Sequence, residues 1–150
     1  MKVLIVCTGN TCRSAMAEVF LKHVFKGKNV GIASAGTCAL NGAPASGKAI
    51  EIMRDKGLDL SKHKSSVITD EKIEEADIII VMEKIHKEYL LKIYPERKDK
   101  LFLFRDFAND GLSEIPDPCG QDKEIYKKTF DVIKKSTEGL KQWMEQRNFL

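Results

Sequence analysis

The chain has no long hydrophobic run. The two longest, Val3-Leu4-Ile5-Val6-Cys7 and Ile78-Ile79-Ile80-Val81-Met82, hold five residues each. A membrane-spanning helix needs about 20, so that class is excluded. Proline is scarce, at 4 of 150 residues, and there is no repeat or low-complexity tract, which excludes collagen-like and disordered chains. No basic run accompanies the net charge of +3, so nucleic acid is not an expected partner. The four cysteines, Cys7, Cys12, Cys38 and Cys119, lack the paired spacing of a zinc site, and no metal or cofactor is expected. No export signal is read: Met1-Lys2 precedes only five apolar residues, and polar Thr8-Gly9-Asn10 follows at once. The expectation is a cytoplasmic, reducing setting in which thiols are the default.

What remains is an ordinary globular balance, 43% hydrophobic and 31% charged, expected to form one α/β domain over 1–150. The apolar pattern alternates short buried strands with longer amphipathic helices. It predicts strands at 3–6, 30–34, 76–82 and 101–104. Helices are expected near 14–25, 43–56 (closed by Gly57), 69–75, 85–94 and 122–146. In the last, Phe130, Ile133, Leu140 and Met144 share one face. That order predicts a parallel sheet covered by helices on both faces. Residues 105–121 form the one irregular stretch long enough to suggest function.

The segment between the first strand and first helix is the richest in chemistry. Ligands of an open α/β sheet bind at the carboxyl ends of strands, where a helix N-terminus attracts anions. A loop wrapping an anion needs residues that tolerate left-handed dihedrals, and Gly9 and Asn10 are the two best suited. Cys7 and Arg13 form C-x5-R, followed by Ser14. Amide groups, the helix dipole and a guanidinium together stabilise a thiolate and make it a nucleophile. The same donors fit three phosphoryl oxygens, two of them clamped by Arg13. The Ser14 hydroxyl can donate to the sulfur.

With Cys7-Thr8-Gly9-Asn10-Thr11-Cys12-Arg13-Ser14, Ser34-Ala35-Gly36-Thr37, residues 77–82 and Asp117-Pro118, the chain resembles the low-molecular-weight protein tyrosine phosphatase family along its whole length. The resemblance implies a flavodoxin-like three-layer fold with a four-stranded parallel sheet in the order 2-1-3-4. It implies a phosphocysteine enzyme acting on phosphorylated proteins. Cys7 would be the nucleophile and Arg13 the phosphate clamp. Asp117 would be the general acid, then the general base. The loop Thr8 to Ser14 would bind phosphate, with Asn10 holding its shape and Ser34 and His63 donating to that asparagine. Cys12 would be the redox partner of Cys7 under oxidation.

Thr11 stands where many tyrosine-specific relatives carry isoleucine, and no aromatic residue follows Asp117-Pro118 or occurs in the loop 38–42. Thr11 in this setting resembles the bacterial protein-arginine phosphatase branch, because a threonine hydroxyl can accept guanidinium N–H groups where isoleucine cannot. Thr11 is therefore the expected specificity residue, with phosphoarginine or phosphotyrosine proteins as substrates of a monomer. A thioredoxin-coupled arsenate reductase would need two further relay cysteines, and 79–95 holds none. A flavodoxin-like binding module would have no use for a thiolate beside an arginine. Tyr126 reads as packing, His23 and His86 as solvated on charged helix faces, and Glu114 as a weak rival acid. Cys38 and Cys119 read as small buried fillers.

Overall fold

The computed structural model describes residues 1–150. Its four strands, β1 (Lys2–Cys7), β2 (Gly31–Gly36), β3 (Ile78–Val81) and β4 (Leu101–Leu103), form one parallel sheet in the order β2-β1-β3-β4. Around it lie α1 (Arg13–Val24), α2 (Gly47–Asp55), α3 (Asp70–Glu75), α4 (Lys84–Ile93) and α5 (Lys123–Gln146), with 3-10 turns at Pro95–Lys100 and Phe104–Ala108. This is the flavodoxin-like order that the resemblance implies.

The β-branched runs make the centre of the sheet because both of its faces are covered. Val3, Ile5, Cys7, Ile78 and Ile80 face a core of 24 buried residues shared with α1, α2 and α5. Leu4, Val6, Ile79 and Val81 face a smaller core of 10, closed by Ile73 of α3 and Leu90 of α4. Burying each such side chain contributes about 1.5–3 kcal/mol. On α5 the expected face is the buried one: Phe130, Ile133, Leu140 and Met144 are each at most 2% exposed.

Most element boundaries fall within two residues of the pattern, and two places depart from it in ways that matter for packing. The second helix begins at Gly47 rather than 43, because Ser46 is its N-cap and accepts from the Ala49 amide at 3.2 Å. It ends as expected: the Gly57 amide bonds to Arg54 and that of Leu58 to Met53, with Gly57 at φ 76°. The irregular stretch after β4 starts with the 3-10 turn Phe104–Ala108, on which α5 packs very closely. A Cβ at Gly139 would stand 1.7 Å from the Phe107 carbonyl oxygen.

Candidate active site

Cys7 is the last residue of β1, and α1 starts at Arg13, so residues 8–12 wrap around the helix's first-turn amides. Main-chain bonds from the strand ends hold this loop. Thr37 N donates to Cys7 O at 2.9 Å, and Cys38 N to Thr8 O at 3.0 Å. Gly36 lies tight beneath it, since a Cβ there would meet Thr8 O at 2.4 Å.

The buried Cys7 sulfur has two donors. The Asn10 amide reaches it at 3.3 Å, and the Ser14 hydroxyl lies 2.8 Å away. Ser14 Oγ itself accepts from Asn10 Nδ2 at 2.8 Å, which leaves its own proton available to the sulfur. Both donors favour sulfur as an acceptor, the condition a thiolate requires.

Asn10 is the hub. It is fully buried and left-handed, at φ 56°. Its Nδ2 also donates to Ser34 Oγ at 2.8 Å, and its Oδ1 accepts from Ser66 N at 2.9 Å. His63 Nε2 contacts its carbonyl at 2.7 Å. Two sequence expectations are corrected here. Ser34 accepts from Asn10 rather than donating, because its own proton goes to Glu18. Gly9 does not take a left-handed dihedral; Asn10 alone does.

Arg13 is 2% exposed, and a buried charge must be paired. Its Nη1 bonds to Glu83 Oε1, and to the Ile115 carbonyl at 2.9 Å. Its Nη2 has only Asp117 Oδ2, at 3.8 Å. That leaves Nη2 and Nε for a phosphoryl group. Asp117 is half exposed at the mouth. Its Oδ1 accepts the Cys119 amide at 3.0 Å, so turn chemistry fixes its carboxylate. The loop bearing it is anchored by Ile115 N to Met82 O at 2.9 Å, and by Arg105 to Glu114 O at 2.9 Å. The Glu114 carboxylate accepts the Lys84 amide at 3.0 Å, whereas it is the Asp117 carboxylate that lies against Arg13.

Three side chains have more to do than the sequence reading gave them. Glu83, which that reading missed, is the N-cap of α4 as well as the partner of Arg13. His86 is corrected: it is 3% exposed rather than solvated, and Nε2 lies 2.8 Å from Thr8 Oγ1. Tyr126 packs as expected, yet its hydroxyl also lies 3.3 Å from Cys12 Sγ. E-x-x-H directly after a buried strand was the available signal for the first two. Cys38 and Cys119 are exposed rather than buried. Thr11 is half-buried, with its Oγ1 3.6 Å from where a Gly9 Cβ would stand. Leu40, in the loop after β2, is 79% exposed.

The chain is similar to known proteins along nearly its whole length. A protein-arginine-phosphatase of Bacillus subtilis is 35% identical over 148 residues, covering 97% of this chain and 96% of that one. A low molecular weight protein tyrosine phosphatase from T. tengcongensis superposes with a TM-score of 0.88 at 39% identity, covering 95% of this chain and 98% of that one. A YwlE arginine phosphatase, its cysteine replaced by serine and the active-site serine phosphorylated, superposes at 0.90 with 33% identity, covering 97% and 96%. The family model described as low molecular weight phosphotyrosine protein phosphatase matches residues 2–148, and the chain belongs to that family.

Proposed function

We propose that this chain is a cysteine-dependent protein phosphatase whose preferred substrate is phosphoarginine in proteins. The observation that carries the phosphatase reading is the Cys7 sulfur, held by the Asn10 amide and the Ser14 hydroxyl at the head of α1 beside a buried Arg13. Cys7 attacks phosphorus while Arg13 and the amides of Thr8 to Ser14 take up the growing oxyanion charge. Asp117 gives its proton to the departing nitrogen or oxygen, leaving a phosphocysteine. It then takes a proton from water, which attacks phosphorus, breaks the P–S bond and releases phosphate and the thiolate.

The preference for arginine rests on the mouth. Thr11 offers a hydroxyl where isoleucine would offer none, and neither 37–43 nor 116–121 carries a ring to stack on a phenol. The Bacillus relative supports the same branch. Phosphotyrosine is the second reading, favoured by the 39% identity to the T. tengcongensis enzyme. On the phosphatase reading the chain is a monomer acting in the cytoplasm on phosphorylated proteins. A net charge of +3 without a basic run gives no footprint for nucleic acid, and no helix is long and apolar enough to cross a membrane. Cys12 is the redox partner of Cys7.

The test is one peptide phosphorylated on arginine or on tyrosine, with Cys7→Ser as the inactive control. Higher kcat/KM on phosphoarginine, lost in Thr11→Ile, supports the reading. A higher value on phosphotyrosine, or a ratio that Thr11→Ile leaves unchanged, overturns the substrate choice. Release from neither substrate overturns the phosphatase.

A further inference from the structure

The helix α4 opens on Glu83-Lys84-Ile85-His86, and its first turn is wired twice into the loop 7–13. His86 Nδ1 accepts the Glu83 main-chain amide at 3.1 Å. The Glu83 carboxylate in turn accepts the His86 main-chain amide, completing a capping box. The same carboxylate holds Arg13 Nη1. On its other side, His86 Nε2 lies 2.8 Å from Thr8 Oγ1. Thr8, His86, Glu83 and Arg13 therefore close a circuit whose two ends are both in the phosphate loop.

The circuit fixes the histidine tautomer. Nδ1 faces an amide hydrogen, so it must present its lone pair, and the ring proton sits on Nε2. Nε2–H then donates to Thr8 Oγ1. We infer that His86 is a positioning residue for this site: it sets Glu83, and through it Arg13, while tethering Thr8 at the other end of the loop. The role assigned to Arg13 comes from the phosphatase reading, and the inference rests on it.

The circuit works only with a neutral ring. A second proton on Nδ1 would point at the Glu83 N–H, breaking the cap and setting a cation beside Arg13. Charges face His86 from three sides: Arg13 of α1, Glu83 of its own cap, and Glu114 and Asp117 of the acid loop. Burial, and then Arg13, lower its pKa from 6.5, against the opposing pull of Glu83, Asp117 and Glu114. Folding therefore favours the neutral ring, and that contribution is lost as pH falls below the ordinary histidine range.

The experiment uses His86→Gln, which keeps a cap acceptor at N3, together with Glu83→Gln and the double variant. Binding of inorganic phosphate is measured by calorimetry, and kcat/KM is measured from pH 5 to 8. Nitrogen-detected NMR reports the His86 tautomer. The expected wild-type ring is the Nε2–H form, titrating below ordinary histidine. His86→Gln is expected to weaken phosphate binding and kcat/KM by about tenfold at pH 7 and to remove part of the acid limb. The double variant is expected to lose no more than the worse single, because both act through Arg13. An Nδ1–H ring, an unchanged acid limb, or losses that multiply would overturn the inference. Wild type that binds phosphate but hydrolyses no phosphorylated peptide would fail the phosphatase reading alone, since tautomer and phosphate affinity still test the circuit.

Discussion

The Tyr126 hydroxyl in the first turn of α5 lies 3.3 Å from the sulfur of Cys12, 114 residues earlier in the chain. Ser46, the cap of α2, also reaches that hydroxyl at 3.3 Å, and its amide donates to Thr11 O at 2.9 Å. The far rim of the phosphate loop is thus clipped to two helices outside it. Burial, with the Cys12 bond, pushes the Tyr126 pKa up to about 12. A phenol with a raised folded pKa contributes stability below its unfolded value near 10, and that contribution fades as pH climbs toward 12. Tyr126→Phe is expected to cost about 1 kcal/mol at pH 7 and to flatten the fall in Tm between pH 10 and 12. Thermal unfolding across that range checks it, with Tyr94, also raised to about 12, and the raised Lys2 and Lys127 supplying the part that remains.

Gly36 and Gly139 separate activity from stability. Gly36→Ala drives a methyl group against Thr8 O and so displaces the loop that binds phosphate. Its expected effect is a loss of kcat/KM of about 100-fold. Gly139→Ala pushes α5 off the Phe104–Ala108 turn, at about 3 kcal/mol or more. Where it still folds, it should turn over like the parent. Paired denaturant melts and assays at low temperature distinguish the two.

Asn10→Ala removes two amide donors and an acceptor from a buried site, and leaves alanine in a left-handed conformation. A loss of about 2–4 kcal/mol is expected, with activity falling further than stability because Ser14 loses its orientation toward Cys7. Chemical denaturation and single-turnover phosphate release measure the two effects.

Asp117→Asn is expected to lower kcat by about 100-fold or more. Phosphate affinity should change little, because Glu83 and Ile115 already hold Arg13. The deficit should shrink for esters whose leaving group needs no proton. Steady-state kinetics over a leaving-group series reads this directly.

The strand order and the C-x5-R loop were legible because both are local patterns. The runs 3–7 and 78–82 could be nothing but central strands, and a cysteine ending the first of them faces a helix start. His63 and Ser34 lie 53 and 24 residues from Asn10, so only the family resemblance could join them to it, and it gave the Ser34 bond the opposite direction. Glu83 and His86 were missed because E-K-I-H reads equally as solvated helix. Its carboxylate cap and imidazole at N3 depart from the usual Ser or Thr cap with Glu at N3. Tyr126 sits at a packing position, and periodicity cannot say where the far end of a ring points.

The sheet's two coverings are unequal, 24 buried residues against 10. The thinner one carries α4, whose first turn holds both Arg13 and Thr8. Sparsely packed elements open at a lower free energy than the core. Warming or denaturant should therefore disarm the catalyst while most of the molecule keeps its shape. A compound that pries beneath α4 could act as an inhibitor without entering the phosphate cradle or competing with substrate for it.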